Sequence, residues 1–127
     1  MSREIKFRAW DKINEKIVKI SSLSLENKEI AVKENGTYHF FRMQNLELMQ
    51  YTGLNDKNGK EIYEGDILFF RDENMKYIVV WQDTAFIIKS IEIRKYSEKM
   101  CWLDDTEICC EIVGNIYENK NLLEENK

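Results

Sequence analysis

Proline is absent from this chain of 127 residues, where an average composition would supply about six. No proline-rich linker can therefore divide it, and no prolyl isomerisation should slow its folding. Histidine occurs once, as His39. Cysteine occurs only as Cys101, Cys109 and Cys110. An odd number with an adjacent pair is a poor disulfide framework. There is no C-x-x-C and no nearby histidine, so a zinc site would need an unusual ligand set. Buried, reduced thiols are the expectation. No apolar run approaches the ~20 residues that span a membrane. The opening MSREIKFRAW has no long apolar stretch behind its charges, so neither a signal peptide nor a membrane partner is expected, and the location read from this is cytoplasmic.

A dense basic surface is also missing. Net charge is −4. Residues 1–20 carry six Lys/Arg against three Asp/Glu, and residues 101–127 carry two against seven. A non-specific nucleic-acid binder needs a basic face to displace counterions. Only Arg3, Lys6, Arg8, Lys12, Lys16 and Lys19 come near one, and solvated outward positions explain them as well. Nucleic acid is a possible partner but not the favoured one.

What is present is β-prone. Apolar residues make up 43% of the chain, near the globular average. Ile5, Phe7 and Ala9 alternate with Lys6, Arg8 and Trp10. The polar DKINEK and then Ile17–Ile20 complete a hairpin with a loop of about six residues. EIAVKE and TYHFF flank a turn at Asn35-Gly36. Gly53 is expected to end a stretch that starts at Leu46. ILFF, YIVVW and AFII read as a three-stranded meander from Ile67 to Ile88. These three runs do not alternate, so they are apolar on both faces and need cover on each. Ile112–Tyr117 reads as a later strand, with Gly114 marking a bulge or a close backbone approach. Residues 97–110 fit a short helix or a loop.

The segment YTGLNDKNGKEIYEGDILFF, from Tyr51 to Phe70, is the one stretch that invites a ligand. Counted from Asp56 as a calcium loop, Lys60 falls on a ligand position and the glycine comes too early. No phosphate-loop spacing is present, and Glu61 and Glu64 would repel a phosphate. Two turns, at Asn58-Gly59 and Glu64-Gly65, account for it. No G-x-S-x-G surrounds any serine. His39, among Tyr38, Phe40 and Phe41, reads as packed rather than catalytic. A cysteine nucleophile would need that histidine and a third, orienting group. Asp104-Asp105 read as solvated. No catalytic residue, metal or cofactor is expected. The aromatics remain. Packing explains most of them, and an exposed subset is the best binding surface on offer.

REIKFRAWDKINEKIV, LMQYTGLNDKNGKEIYEGDIL and EIVGNIYENKNLL, in this order, resemble the YopX family of small phage and prophage proteins, mainly of Gram-positive bacteria. The blocks span Arg3 to Leu123. Lys120 stands where ENPELL-like endings have proline. The resemblance implies a mainly β structure with a small SH3-like barrel in the C-terminal half. It implies self-assembly, and it brings no catalytic residues with it.

The reading is therefore an N-terminal β subdomain over 1–55, containing the hairpin, packed on an SH3-like barrel subdomain over 56–127 with a short acidic tail. The expected role is that of a non-enzymatic phage accessory protein, a homo-oligomer that also meets an unknown phage or host protein. Trp10, Tyr63 and Trp81 are its candidate contact residues. The alternative is a nucleic-acid or DNA-metabolism accessory protein using Arg3, Lys6 and Arg8.

Overall fold

A computed structural model describes residues 5–71, 74–82, 85–90, 101–102 and 110–121. The protein is mainly β. It forms two compact units, Met1–Gln50 and Tyr51–Lys127.

In the first unit, β1 (Phe7–Asp11) and β2 (Lys16–Lys19) make the expected hairpin. Its turn has four residues rather than six, because Asp11 and Lys16 both join the ladder. β3 (Ser22–Ser24), β4 (Glu29–Glu34) and β5 (Thr37–Arg42) make a separate three-stranded sheet with β4 in the middle. Asn35 and Gly36 turn between β4 and β5 with φ of 52° and 80°. This left-handed pair matches the twist of the two strands it joins. A single 3-10 turn, Met43–Asn45, leads into β6 (Leu46–Asn55). The first half of β6 pairs with β1. Ala9, Val18, Ile30, Val32 and Leu46 form the buried core of this unit.

The boundary between the units falls inside β6. The strand does not stop at Gly53, as expected, but runs to Asn55. Gly53 takes φ 89°, and the ladder to β7 (Glu61–Tyr63) shifts register between Tyr51 and Asn55. A glycine thus bends this strand without ending it.

The second unit continues with β8 (Asp66–Phe70), β9 (Met75–Gln82), β10 (Ala85–Ser90), β11 (Cys101–Trp102) and β12 (Cys110–Asn115). β8, β9 and β10 are the meander read from the sequence. The sheet order is β11-β10-β9-β8-β12, antiparallel throughout. Leu68 pairs with Tyr77, Phe70 with Met75 and Val79 with Ile88, which sets one face of the sheet. That face, with Ile62, Phe86 and Cys110, is the core. The second face holds Ile67, Ile78, Val80 and Ile87, with Lys76 and Lys89 alongside. Ile67 and Ile87 are buried there and the others half-buried, so this face is covered in part. β12 shifts register between Ile112 and Gly114, which is the bulge that Gly114 announced. Of residues 97–110, Cys101 and Trp102 pair with β10 and Cys110 opens β12. The remainder of that stretch lies outside the described residues.

Candidate interaction surfaces

The buried acids are where chemistry would sit. Asp11 is fully buried at the end of β1. Its Oδ1 accepts the backbone N–H groups of Ile13 (3.0 Å) and Asn14 (3.2 Å), and its Oδ2 accepts the Asn14 side-chain amide (2.8 Å). Burial pushes this carboxyl's pKa up. The Asn14 and Ile13 donors and the Lys16 charge outweigh that, and hold it below the ordinary carboxylate value.

Asp56, also buried, opens the turn after β6. Its Oδ1 accepts N–H from Asn58 (2.8 Å) and Lys60 (2.9 Å), and its Oδ2 accepts N–H from Ile112 on β12 (3.0 Å). Burial again acts to raise the pKa. The Ile112, Lys60 and Asn58 amides, with the Lys60 charge, outweigh it and lower the pKa. Asp66 Oδ2 accepts the Tyr63 N–H at 2.8 Å. Asn115 Oδ1 accepts from Tyr117 (3.0 Å) and Glu118 (2.8 Å). These four side chains act as staples that close turns. The Tyr51–Phe70 segment is accordingly built as two turns, with its central carboxylate committed to backbone amides. Among the described residues, no group of three or more His, Cys, Asp or Glu side chains is placed to hold a metal ion.

The candidate contact residues separate. Trp81 is 45% exposed on β9, with its ring edge-on to Phe86 at 4.7 Å. Trp10 is half-buried on β1. Tyr63 corrects the expectation. It is only 6% exposed, its ring lies 5.4 Å from that of Tyr51, and its hydroxyl donates to Glu61 Oε1 at 3.2 Å. The β6–β7 pairing turns this side chain inward, so it packs and offers no ring to a partner.

In the basic hairpin, Arg8 is half-buried, with Nη2 donating to Met49 Sδ at 3.6 Å, and Lys6 is half-buried beside it in sequence. Arg3 lies outside the described residues. Lys12 Nζ sits 2.9 Å from Glu47, and Lys16 Nζ sits 3.4 Å from Glu34. Two of the hairpin's lysines are thus met by acids of their own unit.

The surface that sequence reasoning missed is β5. Its side chains Thr37 to Phe40 are all exposed, with Tyr38 at 53% and Phe40 at 65%. Lys33 Nζ lies 5.6 Å from the centroid of the Tyr38 ring. His39, read as packed from its aromatic neighbours, is exposed too. The reason is position: β5 is an edge strand, and only Phe41 reaches the core beneath β4. TYHFF reads as β-prone, with His39 packed among its aromatics, and nothing local distinguishes an edge from a centre. Cys110 is a fully buried, reduced thiol, as expected, while Cys109 lies outside the described residues. Among the described residues, no helix is long and apolar enough to cross a membrane.

A family model described as YopX protein matches residues 6–124, nearly the whole chain. Among solved structures, the chain is similar to the crystal structure of protein EF1440 from Enterococcus faecalis. The TM-score is 0.66 and the identity 25%, over 96% of this chain and 99% of that one. No curated protein matches the sequence.

Proposed function

As the chain belongs to the YopX family, we propose that it acts without chemistry of its own, as a β-rich interaction module that associates with itself and with a further phage or host protein. The observation that carries this is the display of large apolar side chains on ordered strands. Phe40 and Tyr38 on β5 and Trp81 on β9 are held out to solvent at 65%, 53% and 45% exposure. Tyr38 and Phe40 stand two residues apart on one face of β5, side by side, and an exposed apolar patch on a sheet marks an interaction site. The buried acids support the same reading, because Asp11, Asp56 and Asp66 accept hydrogen bonds from backbone and side-chain amides that hold the fold together. A proton-transfer role would need one of them released from those bonds.

The competing reading is a nucleic-acid accessory protein. It rests on the excess of Lys and Arg in residues 1–20. Lys12 and Lys16 face Glu47 and Glu34, which weakens it. A tagged pull-down from prophage-induced cells, split into nuclease-treated and untreated halves, separates the two. The module reading predicts a protein retained in both halves. Recovery that vanishes with nuclease overturns it in favour of nucleic acid.

A further inference from the structure

Sheet edges carry unpaired backbone donors and acceptors, and proteins ordinarily blunt them. Among the described residues, every edge but one is blunted. β2 has Lys16 and Lys19 at its ends. β3 and β7 are three residues long, and β11 is described over two. β12 is bulged, and its outer groups are already used. The Ile112 N–H goes to Asp56, and the Cys110 carbonyl takes the Lys57 N–H at 3.0 Å. β5 is neither short nor bulged, and only one of its ends carries a charge. It runs six residues, Thr37–Arg42, without a bulge, and pairs one to one with β4. Its single charge is Arg42.

The backbone of β5 fixes what can pair with it. In a two-residue hairpin the pair flanking the turn, Glu34 and Thr37, is hydrogen-bonded, and the pattern alternates from there. Thr37, His39 and Phe41 therefore direct their N–H and C=O groups to β4. Tyr38, Phe40 and Arg42 direct theirs to the open edge. An antiparallel partner strand must present outward-facing residues at the same spacing of two.

We infer that β5 is a dimerisation edge whose occupant is β5 of a second copy, antiparallel, with Phe40 on the two-fold axis. This rests on the self-association proposed above and names its surface. The register follows from the chain itself. Centred on Phe40, it sets Phe40 against the partner's Phe40 and Tyr38 against the partner's Arg42, and the reverse. All three outward residues are then paired. An isologous contact of this kind closes on itself. Phe40, Tyr38 and Arg42 lie on the same face of the strand. The paired strands thus set two exposed phenyl rings together and a guanidinium against a phenol ring, with no like charges opposed. The two three-stranded sheets become one continuous sheet of six strands.

The test combines two variants, Phe40→Lys and Phe40→Cys, with Trp81→Cys as control. Position 40 is 65% exposed, so neither change should disturb the fold, and circular dichroism with thermal melting checks this. A hydrogen-bonded antiparallel pair has its Cα atoms about 5.5 Å apart, within disulfide range. Mild oxidation of Phe40→Cys should therefore give a dimer linked 40 to 40, mapped by mass spectrometry, while Trp81→Cys gives none. Phe40→Lys should weaken association roughly tenfold or more in sedimentation. Wild-type association that persists in Phe40→Lys, with no 40-to-40 link, overturns the edge and leaves self-association to another surface. A wild-type chain that never associates overturns both.

Discussion

Asp56 Oδ2 accepts the backbone N–H of Ile112 at 3.0 Å, across 56 residues of sequence. One carboxylate thereby ties the turn after β6 to the bulged edge strand β12, while its other oxygen closes the turn itself. Removing it strands three amide donors. Asp56→Ala is predicted to cost about 2–4 kcal/mol of folding stability, because hydrogen bonds to a charged, buried acceptor are among the stronger ones. Urea unfolding measures the loss. Hydrogen exchange at the Ile112 amide should accelerate beyond the global change.

The same acids predict the response to pH. Asp11 and Asp56 both have folded-state pKa values below their ordinary range. A carboxyl depressed in the folded state contributes stability that is fully present above its unfolded pKa, about 3.9. That contribution is lost as pH falls through the folded value. Unfolding free energy should hold level from neutral pH down to about 5 on account of these two groups, and fall below about 4. Asp56→Asn, less stable at neutral pH, should show a shallower acid decline.

Gly114 has no room for a side chain. A Cβ there would lie 2.6 Å from Asn119 Oδ1 and 2.7 Å from its Cγ. Asn119 Oδ1 is also the acceptor for the Asn115 N–H at 3.1 Å. Gly114→Ala should push that side chain away and cost about 1–2 kcal/mol. In the double variant with Asn119→Ala, the penalty should be clearly less than the sum of the single ones. Additive losses would mean that the clash is not with Asn119.

Cys110 is fully buried, and its thiol is in no disulfide. Its thiol should react with an aromatic disulfide reagent only as fast as the β8–β12 pairing opens, and at once in denaturant. Mass mapping of the labelled peptide separates it from the other two cysteines.

These tests bear on parts of the molecule that the sequence disclosed unequally. Turns were legible because their signals are local. Asn35-Gly36 and Asn58-Gly59 need backbone shapes that few other pairs allow, and Gly114 marked its bulge. Burial of individual side chains was less so. His39 and Tyr63 exchanged their expected places, the first exposed at an edge and the second packed on Tyr51. Which strand becomes an edge is decided by pairing far along the chain, and TYHFF carries no trace of it. The Asp56–Ile112 bond is invisible for the same reason. Asp56 could be read as a turn former from its neighbours, but not as a staple to a strand 56 residues on. Gly53 misled in the other direction, because a positive φ within β6 is absorbed by a register shift.

The central claim is that the chain associates with itself, and sedimentation of the unmodified protein over a concentration series tests it most directly. The account predicts a mass that rises above the 15.3 kDa of one chain as concentration increases. A mass that stays at 15.3 kDa up to the highest soluble concentration contradicts it.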